Sequence, residues 1–130
     1  MLRKNNWQPI STDHSDTLPT MATVIVKMKF CDKTHRITAE LKDDGDISIH
    51  IESDCDHVMD YAKILGDTVT ISDVTDRDGS RVLSPESLQP LTLTCLAPFG
   101  VLDAAWLELG MMSKNRAREI GEDAISFEEV

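Results

Sequence analysis

Three consecutive segments alternate apolar and polar side chains with a period of two, and only short turns separate them. Ala22 to Phe30 (ATVIVKMKF) sets Val24, Val26, Met28 and Phe30 on one face and Lys27 and Lys29 on the other. Thr34 to Lys42 (THRITAELK) repeats the pattern with Ile37, Ala39 and Leu41, and Ile47 to Glu52 (ISIHIE) repeats it with Ile47, Ile49 and Ile51. A strand turns successive side chains to opposite sides, so each segment is predicted to bury one face. The links, Cys31-Asp32-Lys33 and Asp43-Asp44-Gly45-Asp46, are too short to hold a crossover helix. The three segments therefore read as an antiparallel meander with one apolar face to be covered.

Helices supply the cover. Ser53 or Asp54 is a predicted N-cap for a helix over Cys55 to Leu65 that ends at Gly66, with Val58, Tyr61, Ala62 and Leu65 on its apolar face. Pro98 opens a second helix to Leu109 that aligns Val101, Leu102, Ala105, Trp106 and Leu109. Between them, Thr68 to Ile71 reads as a short strand, and Ser84-Pro85 as the start of a short helix. Beyond, Ser113 is a cap for a helix through Glu119, Gly121 breaks it, and Ala124 to Glu128 (AISFE) alternates like a last strand. The predicted class is α+β: an antiparallel sheet of about four strands, formed by the meander plus the C-terminal strand, with the two main helices on one face. Residues 1–20, with two prolines, many Ser and Thr and little apolar periodicity, read as a flexible leader, and residues 21–130 as one domain.

Charge narrows the function classes. Twenty-three acidic residues face 13 basic ones, and the resulting −10 repels nucleic acid and anionic membrane surfaces, so neither is an expected partner. No apolar run has the length of a membrane span and no signal core follows the N-terminal basic residues, so a cytoplasmic location is expected. Three cysteines cannot all pair within one chain; in a reducing compartment they read as free thiols or ligands. No G-x-S-x-G, P-loop, G-x-G-x-x-G or H-E-x-x-H motif is present, and Asp76-Arg77-Asp78-Gly79 lacks the oxygen ligands of a calcium loop.

The cysteines mark places where the chain turns. Cys31 lies in the first hairpin, Cys55 opens the first helix, and Cys95 precedes Pro98 at the second. Helix N-termini favour thiolate over thiol. Two hairpins return the chain to its starting end, so Cys31 and Cys55 are expected together, joined by Cys95 if its helix packs antiparallel to the strand before it. Thiolates from Cys31, Cys55 and Cys95 would suit zinc or an iron–sulfur cluster, with His57, His35 or solvent as the fourth ligand; His57, in the first turn after Cys55, is the preferred histidine. The enzyme-class alternative is thiol or sulfur-transfer chemistry at Cys95. It has no charged neighbour within three residues, whereas Asp54 and Asp56 flank Cys55 and Asp32 follows Cys31. The plainest reading makes all three small apolar residues at buried corners of an interaction module with no catalytic site, with a homodimer as its expected assembly. His35 and His50 are expected on exposed faces of neighbouring strands, facing each other across the sheet.

The Met-Ala-Thr-Val strand, the turn cysteine, Ile51-Glu52-Ser53-Asp54-Cys55 and Cys95-x-x-Pro98 together resemble a group of small uncharacterised proteins from archaea and anaerobic bacteria. Members of that group show Cys-Gly-Phe, Ser-Asp-Cys and Cys-Pro-Val-Pro at these places and end in a strand like Ile125-Ser126-Phe127-Glu128. This chain has Asp32-Lys33 after the first cysteine and Leu96 after the third. The resemblance covers about residues 21–130 and implies no assigned activity.

Overall fold

The two hairpins form where the alternation predicts them. In a computed structural model, which describes residues 21–130, β1 is Ala22–Met28, β2 is Lys33–Leu41 and β3 is Ile47–Ser53. The expected leader, residues 1–20, lies outside the described residues. Both pairings are antiparallel, with Val24 opposite Ile37 and Ile37 opposite Ile51. The chain continues through α1 (Asp56–Leu65), β4 (Thr68–Val69), α2 (Ile71–Thr75), α3 (Pro85–Leu88), α4 (Ala97–Glu108) and α5 (Lys114–Ile120).

The short strand read at Thr68 to Ile71, and not the C-terminal segment, supplies the fourth strand. β4 pairs with the start of β3, Val69 opposite Ile47, and the sheet order is β1-β2-β3-β4. Residues 121–130 form no strand. Chain connectivity explains the difference. α1 leaves β3 and returns to its beginning, where Gly66 at φ 86 turns the chain and the Ile49 N–H donates to the Asp67 carbonyl at 2.9 Å. A segment two residues past a helix reaches the open edge of β3 at a far lower entropy cost than one arriving some 60 residues later.

One face of the sheet is packed and the other is wet. Ile37, Ala39, Ile47, Ile49 and Ile51 join Val58, Tyr61, Leu65, Val101, Ala104 and Ala105 in a single core. Burying an Ile or Leu side chain contributes about 1.5–3 kcal/mol, so these positions dominate the fold's stability. α4 lies over β1 and β2 and α1 over β3, which matches the predicted layer of two main helices on one face. Arg36, Glu40, His50 and Glu52 occupy the exposed face.

Local chemistry explains most helix ends. Ser84 and Ser113 accept the backbone N–H groups of Ser87 and Arg116, as their sequence positions predict. Thr70 and Asp73 form a capping box that starts α2, a helix too short to show an apolar period. α1 differs from expectation: its N-cap is Cys55, with no side-chain cap, because Ser53 accepts the N–H of Cys55 itself at 2.9 Å. At the other end of α4, the Glu108 carboxylate accepts the Leu41 N–H at 3.0 Å and the Lys114 ammonium at 2.9 Å, tying β2, α4 and α5 together.

Candidate functional site

The β1–β2 turn and the start of α1 meet at one end of the sheet. Residues 29–32 make the turn, with Asp32 at φ 58 and its N–H donating to the Lys29 carbonyl. The Thr34 N–H donates to the Asp54 carboxylate at 3.1 Å, which ties the first residues of β2 to the segment leaving β3. Cys31 is exposed at the turn, and Cys55 is half-buried against the core. These two cysteines thus share a sheet end, as hairpin arithmetic requires.

Cys95 is half-buried at the entrance to α4. Burial pushes its thiol up from the ordinary value; the Ala97 backbone N–H, donating to the sulfur, pulls the other way, and negative charge on Cys55 and then Cys31 adds to the rise. Two consequences follow. Cys95 lies within electrostatic reach of both other thiols. It is also held in its protonated form at neutral pH, because burial outweighs the helix-start hydrogen bond. The absence of charged neighbours along the chain was the reason to favour Cys95 as a nucleophile; in space, burial and two other thiols oppose that activation. Among the described residues, no group of three His, Cys, Asp or Glu side chains is arranged to hold a metal ion.

The histidines are distributed differently from expectation. His35 is 1% exposed, on the packed face with Ile37 and Ala39. Its Nδ1 lies 2.7 Å from Ser53 Oγ, the same oxygen that accepts the Cys55 N–H. Burial lowers its pKa, and the nearby Asp54 charge only partly offsets this, so the ring is neutral at pH 7. The alternation contains the signal: His35 shares its parity with Ile37. His50 is exposed and pairs with Thr38, not His35, so the two do not face each other. His57 stands exposed in the first turn of α1, beside Cys55 in sequence and open to solvent.

The densest polar network lies elsewhere. Asp73, 4% exposed, receives the Arg81 guanidinium at 2.9 Å, while the other Arg81 N–H groups donate to the carbonyls of Leu65 (2.9 Å) and Thr68 (2.8 Å). Burial works to raise the Asp73 pKa, but the Thr70 N–H and the Arg81 contacts outweigh it and hold the carboxyl below its ordinary value. This clasp fastens the end of α1 to β4 and α2. No sequence motif marks it, since its partners are eight residues apart around a loop. A shallow open depression lined by Asp60, Lys63, Ile64, Gln89 and Pro90 contains no cysteine or histidine.

Asp103, half-buried in α4, behaves in the opposite sense to Asp73. Burial raises its pKa, and the charge of Asp123 adds to the rise. A carboxyl whose folded pKa lies above its unfolded one opposes folding once ionised. That cost is present above the folded pKa and disappears as pH falls to the unfolded value. Asp103→Asn is expected to raise the thermal midpoint by about 2 °C at neutral pH, with the gain gone below about pH 4. Thermal melts of both proteins across this range check it, and an equal gain at all pH values would remove the electrostatic explanation.

No curated protein and no solved structure matches the chain. Residues 22–120 match the profile of a family of unknown function, DUF6951, which spans β1 to α5 and all three cysteines and stops before the C-terminal segment. The chain belongs to the DUF6951 family.

Proposed function

We propose that this is a binding protein in which Cys31, Cys55 and Cys95 act as one site for a thiophilic metal ion, zinc or the iron of a cluster. One feature carries the reading: Cys95 lies near enough to Cys55 and Cys31 for negative charge on either to push its pKa up, although the three belong to separate segments of the chain. Negative charge on Cys55 and Cys31 opposes ionisation of Cys95. A bound cation reverses this, deprotonating them and turning mutual repulsion into shared attraction. Cys31 is exposed, while Cys55 and Cys95 are half-buried, so the site would open to solvent on the Cys31 side. His57 or solvent would take a fourth position.

Protein purified without oxygen is expected to carry about one equivalent of zinc or iron by elemental analysis, or to take up zinc with release of protons. A content below about a tenth of an equivalent, with no uptake on titration, would sink the metal reading.

The alternative, thiol or sulfur transfer on Cys95, is favoured by the Ala97 N–H aimed at its sulfur and opposed by its burial. Alkylation at neutral pH separates the two: Cys95 is expected to react more slowly than a free thiol. A faster rate would favour the enzyme. Failure of both tests leaves an interaction module with no catalytic site.

A further inference from the structure

Among the described residues β1 is an edge strand, with β2 on one side and nothing paired on the other. Its exposed residues include Thr23, Ile25 and Lys27. An edge of this kind presents a row of unpaired N–H and C=O groups and invites pairing. Among the described residues, the C-terminal segment 122–130 makes no backbone–backbone hydrogen bond. It nevertheless alternates like a strand over Ala124 to Glu128, and Ile125 and Phe127 are both 72% exposed.

We propose that the open edge of β1 is a docking surface for this chain's own C-terminal segment, which adds to it as a parallel fifth strand over residues 124–128. Direction comes from the fold. α4 starts at the cysteine end of the sheet and finishes at Glu108, which binds Leu41 at the opposite end. The segment emerges from α5 beyond that point, passes Asp123 within charge range of Asp103 in the middle of α4, and reaches Phe30 just past β1. There Phe127 packs edge-to-face on Phe30, with ring centroids 6.3 Å apart. The segment therefore travels the same way as β1.

Charge selects the same occupant. Residues 121–130 contain four acids and no base, while β1 and the turn after it carry Lys27 and Lys29 against one acid, Asp32. A second copy presenting its own β1 would bring lysines to lysines. The Phe30–Phe127 contact already brings the segment to one end of the edge, so pairing closes only a short loop.

Hydrogen exchange on the full chain tests the proposal, with an Ile125→Pro/Ser126→Pro double variant for comparison. Consecutive strand N–H groups point to opposite sides, so one of the two faces β1 in either register, and proline removes both. These side chains are exposed, so the domain folds without them. The β1 amides not bonded to β2 are expected to exchange about tenfold faster in the variant, with a monomeric mass at every concentration. Equal exchange in the two proteins would overturn the docking. Protection that rises with concentration alongside a dimeric mass would overturn the choice of occupant and assign the edge to a second copy.

Discussion

Replacing Arg81 with alanine is expected to destabilise the fold by about 3 kcal/mol, because it strands a carboxylate that has little access to water. Asp73 is 4% exposed, and its oxygens rely on the guanidinium and on the N–H groups of Thr70 and Arg81. The same substitution leaves the Leu65 and Thr68 carbonyls without their donors at the end of α1. Half of the Arg81 side chain is exposed, so water recovers part of the loss and keeps the figure at the lower end for a broken buried pair. Arg81→Lys should recover less than half, since one ammonium cannot serve a carboxylate and two separate carbonyls at once. Urea unfolding measures the effect as a shift in midpoint at constant slope. Adding Asp73→Asn to Arg81→Ala should cost less than the sum of the two, as expected for residues in one network.

The clasp also sets an acid limit. Asp73 has a folded pKa below its unfolded value, so its contribution is fully present above the unfolded value of 3.8 and is lost as pH falls through the folded one. In Arg81→Ala that acid-dependent loss should shrink, because the guanidinium contacts that add to the Thr70 N–H in depressing the pKa have gone. A stability profile between neutral and strongly acid pH that is parallel in the two proteins would contradict this account.

Gly100→Val is the second substitution with a large expected effect, about 2–3 kcal/mol. A Cβ at Gly100 would lie 2.5 Å from Val26 Cγ2 and 2.7 Å from Ile37 Cδ1. Ile37 is fully buried and has no free space to retreat into, so α4 itself must lift from β1 and β2. Gly100→Ala should cost less, about 1–2 kcal/mol, since the better helix propensity of alanine offsets part of the overlap. Ile37→Val removes one of the two clashing methyl groups. Combined with Gly100→Ala, it should therefore cost less than the two single changes summed. Strict additivity in chemical denaturation would show that α4 moves as a body and that Ile37 is not the obstacle.

Elements defined by neighbouring residues were legible. The three strands came from alternation, the starts of α3 and α5 from Ser84 and Ser113, and the end of α1 from Gly66. The shared end of Cys31 and Cys55 followed from two short hairpins. His35 was also legible by parity with Ile37, and the expectation of an exposed ring overlooked it. The Asp73–Arg81 clasp had no local signature, because its geometry exists only once α1, β4 and α2 are packed. Cys95 is an intermediate case: its place at a helix start could be read from Cys95-x-x-Pro98, but its burial could not.

Period-two alternation and short turns determined, without further information, that this chain would build an antiparallel meander and cover one face with helices. Such features depend on interactions over a few residues, where the chain has few alternatives. The tertiary structure alone decided which segment completes the sheet, with Thr68–Val69 beside β3 and the C-terminal segment left unpaired. It also decided the electrostatic state of Cys95, His35 and Asp73. Both outcomes depend on what lies across space from a residue: loop closure favours the nearer of two competing strands, and desolvation with distant charges sets each pKa.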